Sequence, residues 1–197
     1  MQNHSDKYWI FGNFSNVNQH CIVYAIKNLN YSVLEYDYKF CKFRSPEKHK
    51  AAEGICDCEK QKNGKLVSVF YANSKSLWFM SEKQKNVYCN RFPFLNTKKT
   101  RVLSSVFSKK TLELISQMQL ATKEDKWIIL NSNSWVKGKN NAIAFAEKNN
   151  LKYELVWNLK HKELLEKLSQ SRGLIYLPAG ADTCPRLTIE AKLLDCQ

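Results

Sequence analysis

Residues 127–158 read WIILNSNSWVKGKNNAIAFAEKNNLKYELVWN. The run 127–132 is short, apolar and rich in β-branched and aromatic side chains, so it reads as a buried strand. Residues 138–149 follow as a helix and 153–158 as the next strand. A helix over 160–170 comes next, with Leu164, Leu165 and Leu168 on one face, then a strand over 173–178 and a helix from about 184 to 196. Strands alternating with helices at this spacing imply an α/β fold with a parallel sheet.

Working towards the N-terminus, residues 120–126 (LATKEDK) are polar and read as a linker. Before them, 8–14 (YWIFGNF) reads as a strand, 16–29 as a helix and 31–38 as a strand, the start of a second parallel sheet. Residues 39–64 are polar and read as a long loop. Helices are expected at 65–73, 82–91 and 108–119, the last opened by Ser108 as N-cap, with strands at 76–80 and 101–107. The fold class expected is α/β with two Rossmann-like domains, an N-terminal one over 1–119 and a C-terminal one over 127–197. The chain ends where another strand is expected, so the second domain reads as incomplete.

Lysine plus arginine total 31 against 18 aspartates and glutamates, a net charge of +13. Such a balance favours an anionic partner: a nucleic acid, an acidic membrane surface or a phosphorylated substrate. An AT-rich coding sequence gives the same lysine-heavy composition with no such partner. Lysine is the dominant cation, whereas bidentate recognition of phosphate favours arginine. No apolar run is long enough for a membrane span, and the first residues do not form a secretory signal, so a cytoplasmic location is expected.

Seven cysteines without an export signal read as reduced thiols. Cys41, His49, Cys56 and Cys58 together match the ligand set of a structural zinc site. Their spacing is not that of a zinc finger, and incidental cysteines in a loop are the competing reading.

P-loop, GxGxxG, GxSxG and HExxH signatures are absent, as is an Asp-x-Asp pair for a divalent metal. The four histidines lie in unrelated sequence contexts. In parallel α/β sheets, ligands bind beyond the carboxyl ends of the strands. Two such ends carry candidate chemistry: Asn133 to Lys139 after the strand 127–132, and Pro178 to Arg186 after the strand 173–178. The second leads into a helix start whose amide groups suit phosphate, with Pro185 in its first turn and Arg186 beside it. Glu190 lies eight positions after Asp182, within an otherwise apolar helical stretch. Trp135 is placed to stack on a base or sugar, and Cys184 reads as a small packing residue.

The stretch from Asp182 to Glu190 resembles the E-x7-E motif of B-type-fold glycosyltransferases, with aspartate at the first position. Glu190-Ala191 and the residues after it are similar to the family's donor-domain helix, and Lys137-Gly138 resembles its Lys-Gly pair. Residues 76–84 and the strand 101–107 resemble the last units of the acceptor domain. Where that family often has an arginine, this chain has Ser132.

The resemblance implies transfer of a sugar from a nucleotide-diphosphate-sugar donor to a glycan or lipid-linked acceptor. By position, Asp182, Glu190 and Lys137 are the implied catalytic set. Lys137 would neutralise the diphosphate, Asp182 would face the sugar and Glu190 would hold the ribose. Gly12, Gly138, Thr183 and Arg186 are the implied donor-binding residues. No metal and no cofactor is expected in this scheme. A peripheral membrane contact is compatible with the charge, and no specific nucleic acid is expected. Two other functions stay open: a basic nucleic-acid-binding α/β module, and a catalytically inactive nucleotide-binding relative.

Overall fold

Every strand pair is parallel, in two separate sheets. The computed structural model describes all 197 residues, which fall into two compact units, Met1–Ser104 and Ser105–Gln197.

The first unit runs β1 (Tyr8–Phe11), α1 (Gln19–Asn28), β2 (Asn30–Glu35), α2 (Pro46–Glu53), α3 (Lys62–Asn73), β3 (Leu77–Phe79), α4 (Glu82–Arg91) and β4 (Thr100–Val102). Its sheet order is β1-β2-β3-β4. Right-handed crossovers that always step the same way place their helices on one face of the sheet. The alternation along the strands agrees. Phe11, Tyr31, Val33, Leu77 and Phe79 are buried, whereas Tyr8 and Ile10 on the opposite face are more than half exposed. The helix side is an aromatic core: Tyr31 stacks on Phe70 of α3 at 4.7 Å, and Phe11 meets Phe70 edge-on at 5.3 Å. Offset and edge-on pairs add roughly 0.5–1.5 kcal/mol each beyond area burial.

The segment 39–64 is not the long loop expected. It contains α2, a 3-10 turn at Cys58–Lys60 and the start of α3. Ser45 caps α2 through the Lys48 amide at 3.2 Å, Pro46 takes the first turn, and Gly54 at φ +80° ends the helix. These start and stop signals outweigh the lack of an apolar stripe. The strand expected at 101–107 stops at Val102, and Ser104 turns the chain with a left-handed φ of 58°.

The second unit comprises α5 (Lys109–Met118), β5 (Glu124–Leu130), α6 (Lys139–Lys148), β6 (Tyr153–Val156), α7 (His161–Gln170), β7 (Ser171–Leu174) and α8 (Arg186–Leu193). The division therefore falls earlier than the expected linker at 120–126. The reason is packing: Ile115 of α5 is buried with Ile128, Val156, Leu165, Leu168, Ala191 and Leu194. Residues 124–126, expected to be linker, belong to β5, with Glu124 opposite Ser171 of β7 and a register shift before Trp127. The strand expected at 173–178 ends at Leu174, with one further ladder bond from Ile175 N–H to the Ile128 carbonyl at 2.9 Å.

The sheet order here is β6-β5-β7. The central strand β5 is buried on both faces, as parallel sheets require. Ile128 faces α5, α7 and α8, while Ile129 packs with Ala142, Ala146 and Ile175 on the α6 side. The first crossover steps one way from β5 and the next returns past it, which makes the carboxyl edge between β5 and β7 a topological switch point.

Candidate functional site

Three ties close the switch point. The Ala179 amide donates to the Val136 carbonyl at 3.1 Å, and Asn141 Nδ2 donates to the Leu177 carbonyl at 3.4 Å. Lys137 Nζ donates to Asp182 Oδ2 at 2.6 Å. The loop after β5 is thereby fastened to the loop after β7, although Lys137 and Asp182 lie 45 positions apart.

Gly138 makes this approach possible. It caps α6 in the left-handed region at φ +65°, and a Cβ there would lie 1.8 Å from the Leu177 carbonyl oxygen. No side chain caps α6. The first-turn amides of Lys139, Asn140 and Asn141 consequently have no intrahelical acceptor. They border a cavity of about 350 Å³ lined by Ser132, Asn133, Trp135, Asn140, Asn141 and Ala179, among others. That volume lies within the range of small-molecule sites, about 300–1,000 Å³. The lining is mostly hydroxyls and carboxamides, with Trp135 partly exposed.

Asp182 is largely shielded and also accepts from the Tyr176 hydroxyl. Burial, and then the adjacent Asp182 carboxylate, raise Tyr176 well above the usual phenol range, so it remains a donor. Glu190 is buried on α8. Its Oε1 accepts from Arg186 Nε and pairs with His161 Nε2, both at 2.9 Å. Arg186 also lies over the Phe107 ring at 4.6 Å.

The structure brings Lys137, Gly138 and Asp182 together. It places Glu190 and Arg186 in a second polar group together with His161. Thr183 follows Asp182 in the loop before α8. Gly12 belongs to the first unit, just after β1, where a Cβ would meet the Tyr36 ring at 3.4 Å.

The expectation for the start of α8 is corrected. Pro185 is the N-cap of α8, one position before its first turn, and the early amides of α8 are spent locally: Arg186 N–H on Cys184 and Thr188 N–H on Pro185. The uncapped amides beside the cavity belong to α6. Of the histidines, His161 meets Glu190 and His49 meets cysteines. Asn140 and Asn141 were legible only as polar residues after a glycine with no capping side chain. His161 had no sequence signal, because its partner lies 29 residues away.

The first unit holds a second cluster. The ligand atoms of Cys41, His49, Cys56 and Cys58 all lie within 4.8 Å of one another. No helix in either unit is long and apolar enough to cross a membrane. The chain matches no protein-family model, no curated protein and no solved structure.

Proposed function

We infer that the second unit binds a nucleotide-diphosphate-sugar at its switch point and that the chain is a glycosyltransferase of B-type architecture. The observation that carries this reading is the Lys137–Asp182 pair at the edge between β5 and β7, beside a hydroxyl- and amide-lined cavity at the uncapped start of α6.

The chemistry follows from the charges. A departing nucleoside diphosphate gains negative charge in the transition state, and donors already in place there lower the barrier. Lys137 exchanges its Asp182 contact for a phosphate oxygen, and the α6 amides take others. Asp182, still held by Tyr176, then accepts from hydroxyls of the transferred sugar. Glu190, fixed by Arg186 and His161, takes the ribose hydroxyls. Trp135 offers a face for stacking. Charge neutralisation is thus assigned to protein groups, and the acceptor is a glycan or a lipid-linked saccharide.

The test is thermal unfolding of the full chain with UDP, GDP, ADP, CMP and their sugar conjugates, followed by a donor-turnover assay. One base should stabilise the protein, by about 2.7 kcal/mol at a hundredfold excess over Kd. Lys137→Ala and Glu190→Gln, each shown to be folded by circular dichroism, should lose that shift. Binding without turnover would favour an inactive nucleotide-binding relative. No shift with any nucleotide overturns the donor site.

A further inference from the structure

We propose that Cys41, His49, Cys56 and Cys58 bind one zinc ion in a closed tetrahedral Cys3His site that fastens α2 to the rest of the first unit. The distances fit this geometry. A tetrahedron with Zn–S of about 2.3 Å and Zn–N of about 2.0–2.1 Å has S···S edges of about 3.8 Å and S···N edges of about 3.5 Å. Cys56 Sγ is 3.8 Å from Cys41 Sγ. His49 Nδ1 is 3.6 Å from Cys41 Sγ and 3.3 Å from Cys58 Sγ. These are the spacings of ligands around a shared centre. They are far longer than a disulfide bond of about 2.05 Å, and a disulfide would engage two of the thiols and leave the third aside.

The outer contacts are those of a metal-binding histidine. His49 turns Nδ1 towards the thiols while Nε2 pairs with Glu53 Oε2 at 3.0 Å. A carboxylate on the far nitrogen fixes both the tautomer and the ring direction of a ligating imidazole. Phe43 stacks against the same ring at 5.0 Å. Cys41, His49 and Cys58 are buried and Cys56 is half-buried, so four protein ligands leave no open position for a substrate. A closed four-ligand site is structural rather than catalytic.

Packing explains why such a site belongs here. Helix α2 has eight residues and buries only Pro46 and His49. A helix this short is marginal alone, and most helical stability comes from an apolar face that α2 lacks. Its one inward side chain beyond the first turn points at three sulfurs. The backbone around the ligands is also specified. Gly54 reverses the chain after α2, and Gly64 lets α3 approach Cys58, where a Cβ would lie 2.0 Å from the Cys58 carbonyl oxygen. Arg91 holds the Cys56 carbonyl at 3.0 Å.

The experiment uses the full chain, with zinc measured by mass spectrometry after dialysis and cobalt added to the metal-free protein. One zinc per chain is expected. Cobalt should give the intense visible bands of a tetrahedral site together with thiolate-to-cobalt charge transfer. Cys41→Ser and Cys58→Ser should abolish stoichiometric binding, while Cys21→Ser and Cys89→Ser should retain it. Because a ligand variant can fail to fold, zinc is also released from the wild-type protein with a mercurial and monitored against thiols modified. Release should accompany modification of the three cluster thiols, Cys41, Cys56 and Cys58, located by peptide mass mapping, and not that of the other four cysteines. Glu53→Ala should weaken zinc about 10–100-fold. Substoichiometric zinc after reconstitution, an octahedral cobalt spectrum, or a disulfide within the cluster in protein kept reduced would overturn the assignment.

Discussion

Gly138→Ala isolates the contact on which the switch point depends. An L-residue in the left-handed region costs roughly 1–2 kcal/mol. The added methyl carbon would also fall 1.8 Å from the Leu177 oxygen and 2.7 Å from its carbon, both backbone atoms that cannot swing aside. Overpacking of this sort costs typically about 1–3 kcal/mol. Reduced freedom of the unfolded chain returns about 0.4–1 kcal/mol. The net loss is about 1–5 kcal/mol, which at about 4–8 °C per kcal/mol for a small domain lowers its melting point by roughly 4–40 °C. Gly54→Ala gives a clash-free comparison: φ is +80° with ψ −38°, a conformation that strains an L-residue, but nothing lies within 4 Å of its Cβ. Urea unfolding of both variants, followed by circular dichroism, gives the comparison. If Gly138→Ala loses less than about 1 kcal/mol, the close approach of the Gly138 and Leu177 backbones is not a constraint on this protein.

Other perturbations probe the two cores and the site. Glu35→Ala removes the main partner of Lys39, whose side chain is almost fully buried; urea unfolding should show a loss near the lower end of about 3–5 kcal/mol, because Asp37 remains at 3.3 Å. The double variant Glu35→Leu with Lys39→Met should recover only part of that loss, since an apolar pair replaces a desolvated ion pair but the buried Tyr71 hydroxyl loses its Glu35 acceptor and Asp37 loses Lys39. Ile128→Ala should cost about 2–5 kcal/mol by the same assay, as it opens a cavity at the middle of the second sheet. Leu120→Ala, at a side chain 93% exposed, should stay within about 0.5 kcal/mol of the parent protein. A double-mutant cycle of Lys137→Ala and Asp182→Asn should give a coupling of up to about 1 kcal/mol, since Lys137 is one-third exposed.

Periodicity alone determined much of the molecule. The runs at 8–14, 31–38, 127–132 and 153–158 became parallel strands because short apolar stretches flanked by polar caps have few other ways to be buried. The start of α5 was legible because the Ser108 hydroxyl holds the free Thr111 amide at 3.1 Å. Lys137, Gly138 and Asp182 were legible as strand-end residues, because a parallel sheet gathers such loops at one edge.

Tertiary structure decided the rest, and for one reason: the contacts concerned join residues far apart in the chain. The membership of α5 followed from Ile115 reaching Leu165 and Leu194 rather than from the polar run beside it. Helix α2 was hidden because its sequence has no apolar stripe, and its single buried side chain beyond the first turn faces sulfurs instead of a hydrophobic core. Glu190 could be picked out as a carboxylate on an apolar helix, but only the fold supplied His161 as its partner. Cys41, His49, Cys56 and Cys58 offered a ligand set in any arrangement; their convergence within 4.8 Å came from a capped helix, a glycine reversal and a close helix approach acting together.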